Sequence, residues 1–246
     1  MKNYLLPYEC KKFSQHGEDG IIDTLLKHIV KKDYNFLEIG FGNGKVTNMS
    51  KNLLFNHNYT GLGVDMAETV FGYENTNLKY IQSKVDIHNC LELVNKKNMY
   101  CDFFSLDIDS YDFDILQKLF ESGFCPKIIC VEINRGFGKS VASFPFKEDA
   151  KRLYNKSYFH GCSLNKYKKY LSKKGYNFFT LDSSGVNAFF YNEKSCNVKA
   201  LQSYDVLENS RIEDKVKKVL SNEIEIKKDF YLRDYWKELI HEIYKE

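Results

Sequence analysis

Two pairs of polar residues have spacing that could support chemistry. Asp107 and Asp109 are separated by one residue, and so are Glu132 and Asn134. In a β-strand such residues project to one side, while Leu106 and Ile108 point to the other. If the two strands are neighbours, two or three carboxylates and an amide oxygen converge. That donor set (Asp107, Asp109, Glu132, Asn134) is one of hard oxygens and suits Mg²⁺ or Mn²⁺. A divalent ion held there would orient a substrate hydroxyl and lower its pKa. The plainer alternative is a wet crevice whose acids are matched by Lys or Arg.

A second cluster could seat a cofactor. Glu38-Ile-Gly-Phe-Gly-Asn-Gly44 follows a short apolar run and leads toward a helix-like segment. An acid closing a strand, with glycines at 40, 42 and 44, makes a turn where a ligand lies against bare backbone. A dinucleotide fingerprint would place glycine at 45, and Lys45 stands there instead. The pattern resembles motif I of class I S-adenosylmethionine (SAM) methyltransferases. That resemblance implies an acid near the cofactor's ammonium, with Gly40, Gly42 and Asn43 around its methionine part. Asp65 is placed to accept hydrogen bonds from both ribose hydroxyls. Asp86 could lie near the adenine, or could simply cap a helix.

These residues need a scaffold, and the pattern supplies one. Apolar residues at 21, 22, 25, 26, 29 and 30 predict a helix over 18–31. Strands are expected at Asn35–Ile39, Thr60–Asp65, Lys79–Gln82, Asp102–Asp109 and Lys127–Ile133, with helices near 47–57 and 112–122 between them. Such alternation predicts an α/β, doubly wound, mostly parallel sheet covered on both faces. Residues 134–162 lose periodicity and are long for a connection, so they are expected to form a mobile lid. A helix over 163–174 then precedes two strands, Tyr176–Leu181 and Val186–Tyr191, joined by the turn Asp182-Ser-Ser-Gly185 as an antiparallel hairpin. Residues 1–196 are expected to form one domain and 197–246 a helical extension. The extension's stripe of Phe230, Tyr231, Tyr235, Trp236, Ile240 and Ile243 would offer a homo-oligomer contact.

Composition narrows the function classes. With 246 residues, 43% of them hydrophobic, the chain can bury one sizeable core. The 36 basic residues are nearly balanced by 33 acidic ones, which argues against nucleic acid as a partner. No apolar run reaches the roughly 20 residues needed to span a bilayer. The N-terminus lacks a signal-peptide core. Seven scattered cysteines without a C-x-x-C pair fit a reducing cytoplasm, with Cys101, Cys125 and Cys130 packing as small hydrophobes.

Longer stretches resemble one family. Phe13-Ser-Gln-His-Gly-Glu-Asp-Gly-Ile-Ile22 is similar to the S-Q-x-G-E-D-G opening of FkbM-like SAM-dependent methyltransferases. Ser105-Leu-Asp-Ile-Asp-Ser-Tyr-Asp112 resembles their S-I-D-I-D-G-x-D segment, with Ser110 in place of glycine. Val131–Asn134, Tyr158–Leu164 and Gly185–Phe190 resemble V-I-E-Y-N, Y-x-G-A-S-L and G-x-N-A-F-F. The resemblance spans about residues 13–192 in the correct order. It implies a Rossmann-like methyltransferase fold with seven strands, and O-methylation of a small molecule such as a sugar, sugar nucleotide or precursor of a cell-surface polysaccharide. It also implies that Gln15 reaches cofactor or substrate.

Within that expectation Asp107 sits at the junction of cofactor and acceptor, and His160, at the end of the lid beside Gly161, is the leading general base. Arg135 and Lys139, with glycines at 136 and 138, could clamp an anionic substrate, or could belong to a solvated loop. Glu18 and Asp19 would be favoured in a first helical turn whatever the function. Two other classes are kept open: an NAD(P)-dependent oxidoreductase on a related sheet, and a non-catalytic SAM-binding subunit.

Overall fold

The computed structural model describes residues 8–43, 49–67, 77–94, 97–137, 140–146 and 160–202. Seven strands form one sheet: β1 (Asn35–Ile39), β2 (Thr60–Asp65), β3 (Leu78–Gln82), β4 (Phe103–Leu106), β5 (Ile128–Glu132), β6 (Tyr176–Leu181) and β7 (Asn187–Asn192). Their order across the sheet is β3-β2-β1-β4-β5-β7-β6. The first five strands are parallel, and β7 runs antiparallel between β5 and β6. This is the doubly wound, mostly parallel sheet with an antiparallel C-terminal hairpin that the sequence predicts.

Register places Leu37, Phe104, Ile129 and Phe190 in one row, pointing to the face covered by α3 (Asp112–Glu121) and α4 (Leu164–Ser172). The neighbouring row, Phe36, Phe103, Ile128 and Tyr191, points to the face covered by α1 (Glu18–Lys27) and α2 (Lys51–Asn56). Both cores are built of buried apolar side chains, and each fully buried Phe or Leu contributes about 1.5–3 kcal/mol. Chain order reverses between β1 and β4, and the crevice beyond the carboxyl ends of these strands is where ligands bind in such sheets.

α1 is shorter than the apolar spacing predicts. Ile29 leaves the helix to bridge Cys196, and the Val30 amide donates to the Ser195 carbonyl at 2.9 Å, so this stretch joins the C-terminal side of the domain. Glu18 and Asp19 do more than favour a helix dipole. Asp19 Oδ2 accepts the amides of Lys12, Phe13 and Ser14 at 2.7–2.9 Å and the Ser14 hydroxyl at 2.9 Å, winding the preceding loop around one buried carboxylate. Glu18 accepts from the His16 amide and from Asn187 Nδ2 on β7. Gly20 lets residues 8–10 cross the helix, because a Cβ there would lie 2.0 Å from the Tyr8 carbonyl oxygen. The S-Q-H-G-E-D-G stretch thus fastens the N-terminal arm to the last strand.

At the opposite end of the strands, Lys127 Nζ donates to the Lys31 carbonyl, to Asp33 and to the buried Asp102. Asp102 also accepts from the Asp33 and Tyr34 amides and from the Tyr59 hydroxyl. This network ties the starts of β1, β4 and β5 together. The seven cysteines are free thiols. Cys101 and Cys130 are buried as predicted, and Cys125 is half-buried. Among the described residues no helix is long and apolar enough to cross a membrane. The aromatic stripe expected over 230–243 lies outside the described residues, as do Gly44 and Lys45 of the glycine turn.

Candidate functional site

β1 ends in Glu38 and Ile39, and the chain turns through Gly40 at φ +90°. A Cβ on Gly40 would meet the Asp107 carbonyl oxygen at 1.5 Å, so only glycine lets the turn after β1 lie against the turn after β4. The Glu38 side chain is 4% exposed, and its Oε2 accepts the Ser50 amide at 3.1 Å just before α2. Burial pushes its pKa up from 4.5 to about 7, against the opposing pull of the Ser50 hydrogen bonds.

Asp65 closes β2 and braces this turn. Its Oδ2 accepts the Gly42 amide at 2.7 Å and its Oδ1 the Ala67 amide at 2.8 Å. A carboxylate has about four lone-pair positions, so both oxygens retain capacity for further donors. Phe41 is buried, packs on Tyr80 with ring centroids 5.9 Å apart, and lies against Gly63. Asn43 is exposed at the tip of the turn. Asp86 serves as a cap: its Oδ1 accepts the His88 and Asn89 amides ahead of the short 3₁₀ turn at Cys90–Leu93. Gln15 is exposed on the loop that Asp19 organises.

The acidic side of the crevice differs from its sequence expectation. β4 stops at Leu106 and β5 at Glu132, so the alternation argument does not reach Asp109 or Asn134. Asp112, at the head of α3, accepts the Ile108 and Ser110 amides at 2.8 and 3.0 Å. That clasp ends the strand and holds Asp109 between its two bonded neighbours in the left-handed region, at φ 52°. Asn134 Nδ2 donates to the His160 carbonyl at 2.7 Å, and the Asn134 amide donates to Cys162 at 2.9 Å.

The geometry brings Asp109, Glu132 and His160 together, with one donor atom from each within 4.8 Å of the others. Asp107 lies beside Glu132, and the two carboxyls share a hydrogen bond that requires a proton on one of them. Burial and neighbouring acids push both pKa values up, Glu132 to about 8 and Asp107 well above the usual carboxylate range.

The expected lid is partly anchored. Ser143 and Cys162 form an antiparallel bridge, Phe144 donates to Gly161 at 2.8 Å, and Ser163 donates to Ala142 at 2.8 Å. Ala142 and Phe144 are buried, so 142–144 packs like a short strand. Residues 138–139 and 147–159, with Lys139, lie outside the described part. Arg135 is exposed and donates to the Ser184 carbonyl at 3.2 Å. Sequence reasoning missed Asp112 as the residue that shapes the β4 turn. Its signal was available, since an acid in the first turn of a helix can reach back to amides of the preceding loop.

Strand order and the antiparallel seventh strand identify a Rossmann-like methyltransferase fold. No family model matches the sequence, and no curated protein does either. Similar solved structures include methyltransferases. An SAH-bound methyltransferase from Podospora anserina is 15% identical with a TM-score of 0.46, covering 74% of this chain and 80% of that one. An O-methyltransferase of tomaymycin synthesis from Streptomyces achromogenes, in complex with SAM, is 14% identical at TM-score 0.43, covering 75% and 81%. An O-methyltransferase family protein from Burkholderia thailandensis is 9% identical at TM-score 0.43. That match covers 71% of this chain, which spans 55% of the Burkholderia protein.

Proposed function

We propose that this protein transfers a methyl group from SAM to a hydroxyl of a small polar acceptor, a sugar or glycan precursor of cell-surface polysaccharide. The observation that carries the reading is the turn after β1. There a buried acid, a positive-φ glycine pressed against the β4 turn and the bracing Asp65 meet at the point where strand order reverses. Glu38 would face the cofactor's ammonium, Asp65 its ribose, and Gly40 and Gly42 its methionine portion. Asn43, Gln15 and Asp86 would complete the pocket, Asp86 while also capping its turn.

Across the crevice, Asp107, Asp109, Glu132 and His160 form the acceptor side. Bound there, SAM would supply its sulfonium methyl to an acceptor oxygen placed in line with the C–S bond, the C–O bond forming as C–S breaks and the electron pair leaving with sulfur as SAH. The hydroxyl proton passes to the carboxylate–imidazole cluster, with His160 and Asp107 as its acceptors. Placing nucleophile and methyl in contact supplies most of the rate. The sugar acceptor rests on the FkbM-like motifs.

Calorimetry with SAH and, separately, with NADH tests the cofactor. SAH should bind in the micromolar range, about −8 kcal/mol. Binding of NADH and not SAH would replace this reading with the oxidoreductase one. SAM-to-SAH turnover with sugar nucleotides then tests the acceptor, and SAH binding without turnover on any hydroxyl compound would leave a cofactor-binding subunit.

A further inference from the structure

His160 Nδ1 and Glu132 Oε2 are 3.6 Å apart, too far for a hydrogen bond between them. Both atoms are shielded from water, and neither has a hydrogen-bond partner. Buried polar atoms rarely go unpartnered, and two such atoms face one another here. Ligands about 2.0–2.2 Å from a common ion lie about 3–3.5 Å from each other, close to the observed gap. The Asp109 carboxylate completes the group from a third segment.

The surrounding bonds position all three donors. Asp112 clasps the amides on either side of Asp109. Asn134 Nδ2 holds the His160 carbonyl, and the Gly161 amide bonds Ser110, tying the histidine's peptide to the loop that carries Asp109. A second carboxylate–imidazole pair, Asp23 with His57, shows the contrast. There Nε2 and Oδ1 meet at 2.7 Å as an ordinary hydrogen bond, with no gap to fill.

We propose that Asp109, Glu132 and His160 bind one divalent transition-metal ion of the Mn²⁺ or Zn²⁺ class. Two carboxylates and an imidazole nitrogen make a mixed donor set that favours such ions over Mg²⁺, which prefers oxygen ligands and retained water. The imidazole thus takes the place that the sequence pattern gave to the Asn134 amide. The role of the ion, to hold and polarise the acceptor oxygen, rests on the methyl-transfer reading. Its binding does not. With Nδ1 on the ion, His160 is a ligand, and of the two proton acceptors in the methyl-transfer reading Asp107 alone remains.

The test uses the full-length protein stripped with chelator and titrated with Mn²⁺, followed by calorimetry and by the loss of the free-ion EPR signal. One Mn²⁺ should bind per chain. His160→Gln and Asp109→Asn should each weaken it by about 10-fold or more, since even outer-shell changes at metal sites cost about 10–100-fold. His57→Gln should leave it unchanged. Mg²⁺ should compete only at concentrations at least about 10-fold higher. Circular dichroism on each variant separates lost binding from lost fold, and the wild-type titration stands regardless. Absence of stoichiometric binding to wild type overturns the site. So does Mn²⁺ affinity indifferent to His160→Gln, which would mean an all-oxygen site. SAH binding to the metal-free protein is measured in parallel. Its failure with Mn²⁺ binding intact would sink the methyl-transfer reading and spare the metal site.

Discussion

Replacing Glu38 by Gln should change how stability depends on pH. Glu38 is 4% exposed, and burial raises its pKa from 4.5 to about 7. Between those values the folded chain keeps a proton that the unfolded chain has released. Stability therefore falls as pH rises through this window, and the loss is complete above the folded-state pKa. The interval corresponds to about 3 kcal/mol at about 1.4 kcal/mol per pH unit. Gln cannot ionise, yet its amide oxygen can still accept the Ser50 amide. Asp107 and Glu132 are raised in the same direction, so the wild-type curve alone mixes several groups. The difference between wild type and Glu38→Gln isolates one.

Urea denaturation at intervals from about pH 4 to pH 8 should show the variant gaining on wild type by about 3 kcal/mol across the window. The same variant should bind SAM more weakly by about 1.5–3 kcal/mol, having lost a charged partner for the ammonium. Calorimetry of wild type near pH 6 in two buffers of different ionisation enthalpy should report proton release on SAM binding, because a cation beside Glu38 favours its carboxylate. Parallel stability curves for the two proteins would refute the reasoning, since they would mean that Glu38 titrates alike folded and unfolded.

Lys127→Met removes the cation from the buried Asp102 and should cost about 3–5 kcal/mol by urea denaturation. A cost below about 1 kcal/mol would show that the backbone amides and the Tyr59 hydroxyl satisfy that carboxylate without the cation. Asp65→Ala should weaken SAH by about 1.5–3 kcal/mol or more, losing ribose hydrogen bonds along with the brace on the Gly42 amide. Unchanged calorimetric affinity in a folded variant would remove Asp65 from the pocket. His160→Ala should lower kcat by roughly 10²–10⁴-fold with SAH affinity near wild type, and a drop of a few-fold would take the imidazole out of the chemistry.

The strands were legible because buried parallel strands are written as short apolar runs bounded by turn residues, as at Asn35–Ile39 and Ile128–Glu132. Their ends were not. Asp109 reads as a continuation of β4 until Asp112 withdraws two amides from the ladder, a side-chain event that periodicity does not record. Glu38 and Gly40 were legible together because their spacing is local, and Asp65 because it closes the next apolar strand. The meeting of His160 with Glu132 was not, since the intervening chain carries no repeat that fixes its path. The role of Glu18 was hidden for the same reason, whereas Asp19 acts locally on residues 12–14. Glu18 finds its partner on β7, 169 residues away. The fastening of Phe144 to Gly161 was hidden within a segment whose lost periodicity and length suggested only a lid.

The last strand of the sheet is an inner one. β7 slots between β5 and β6, and Asn187 within it reaches Glu18 on the first helix. On the ribosome, β5 can pair with β4 long before β7 has been synthesised, so one of its edges stays open throughout. Open edges of apolar strands invite pairing with other chains. The described sheet thus closes only when β7 inserts, and the same strand brings Asn187 to Glu18 of the first helix. A chain cut short at Leu181 should hold most of the sequence but leave β5 and β6 without the strand that joins them, and should be prone to aggregation.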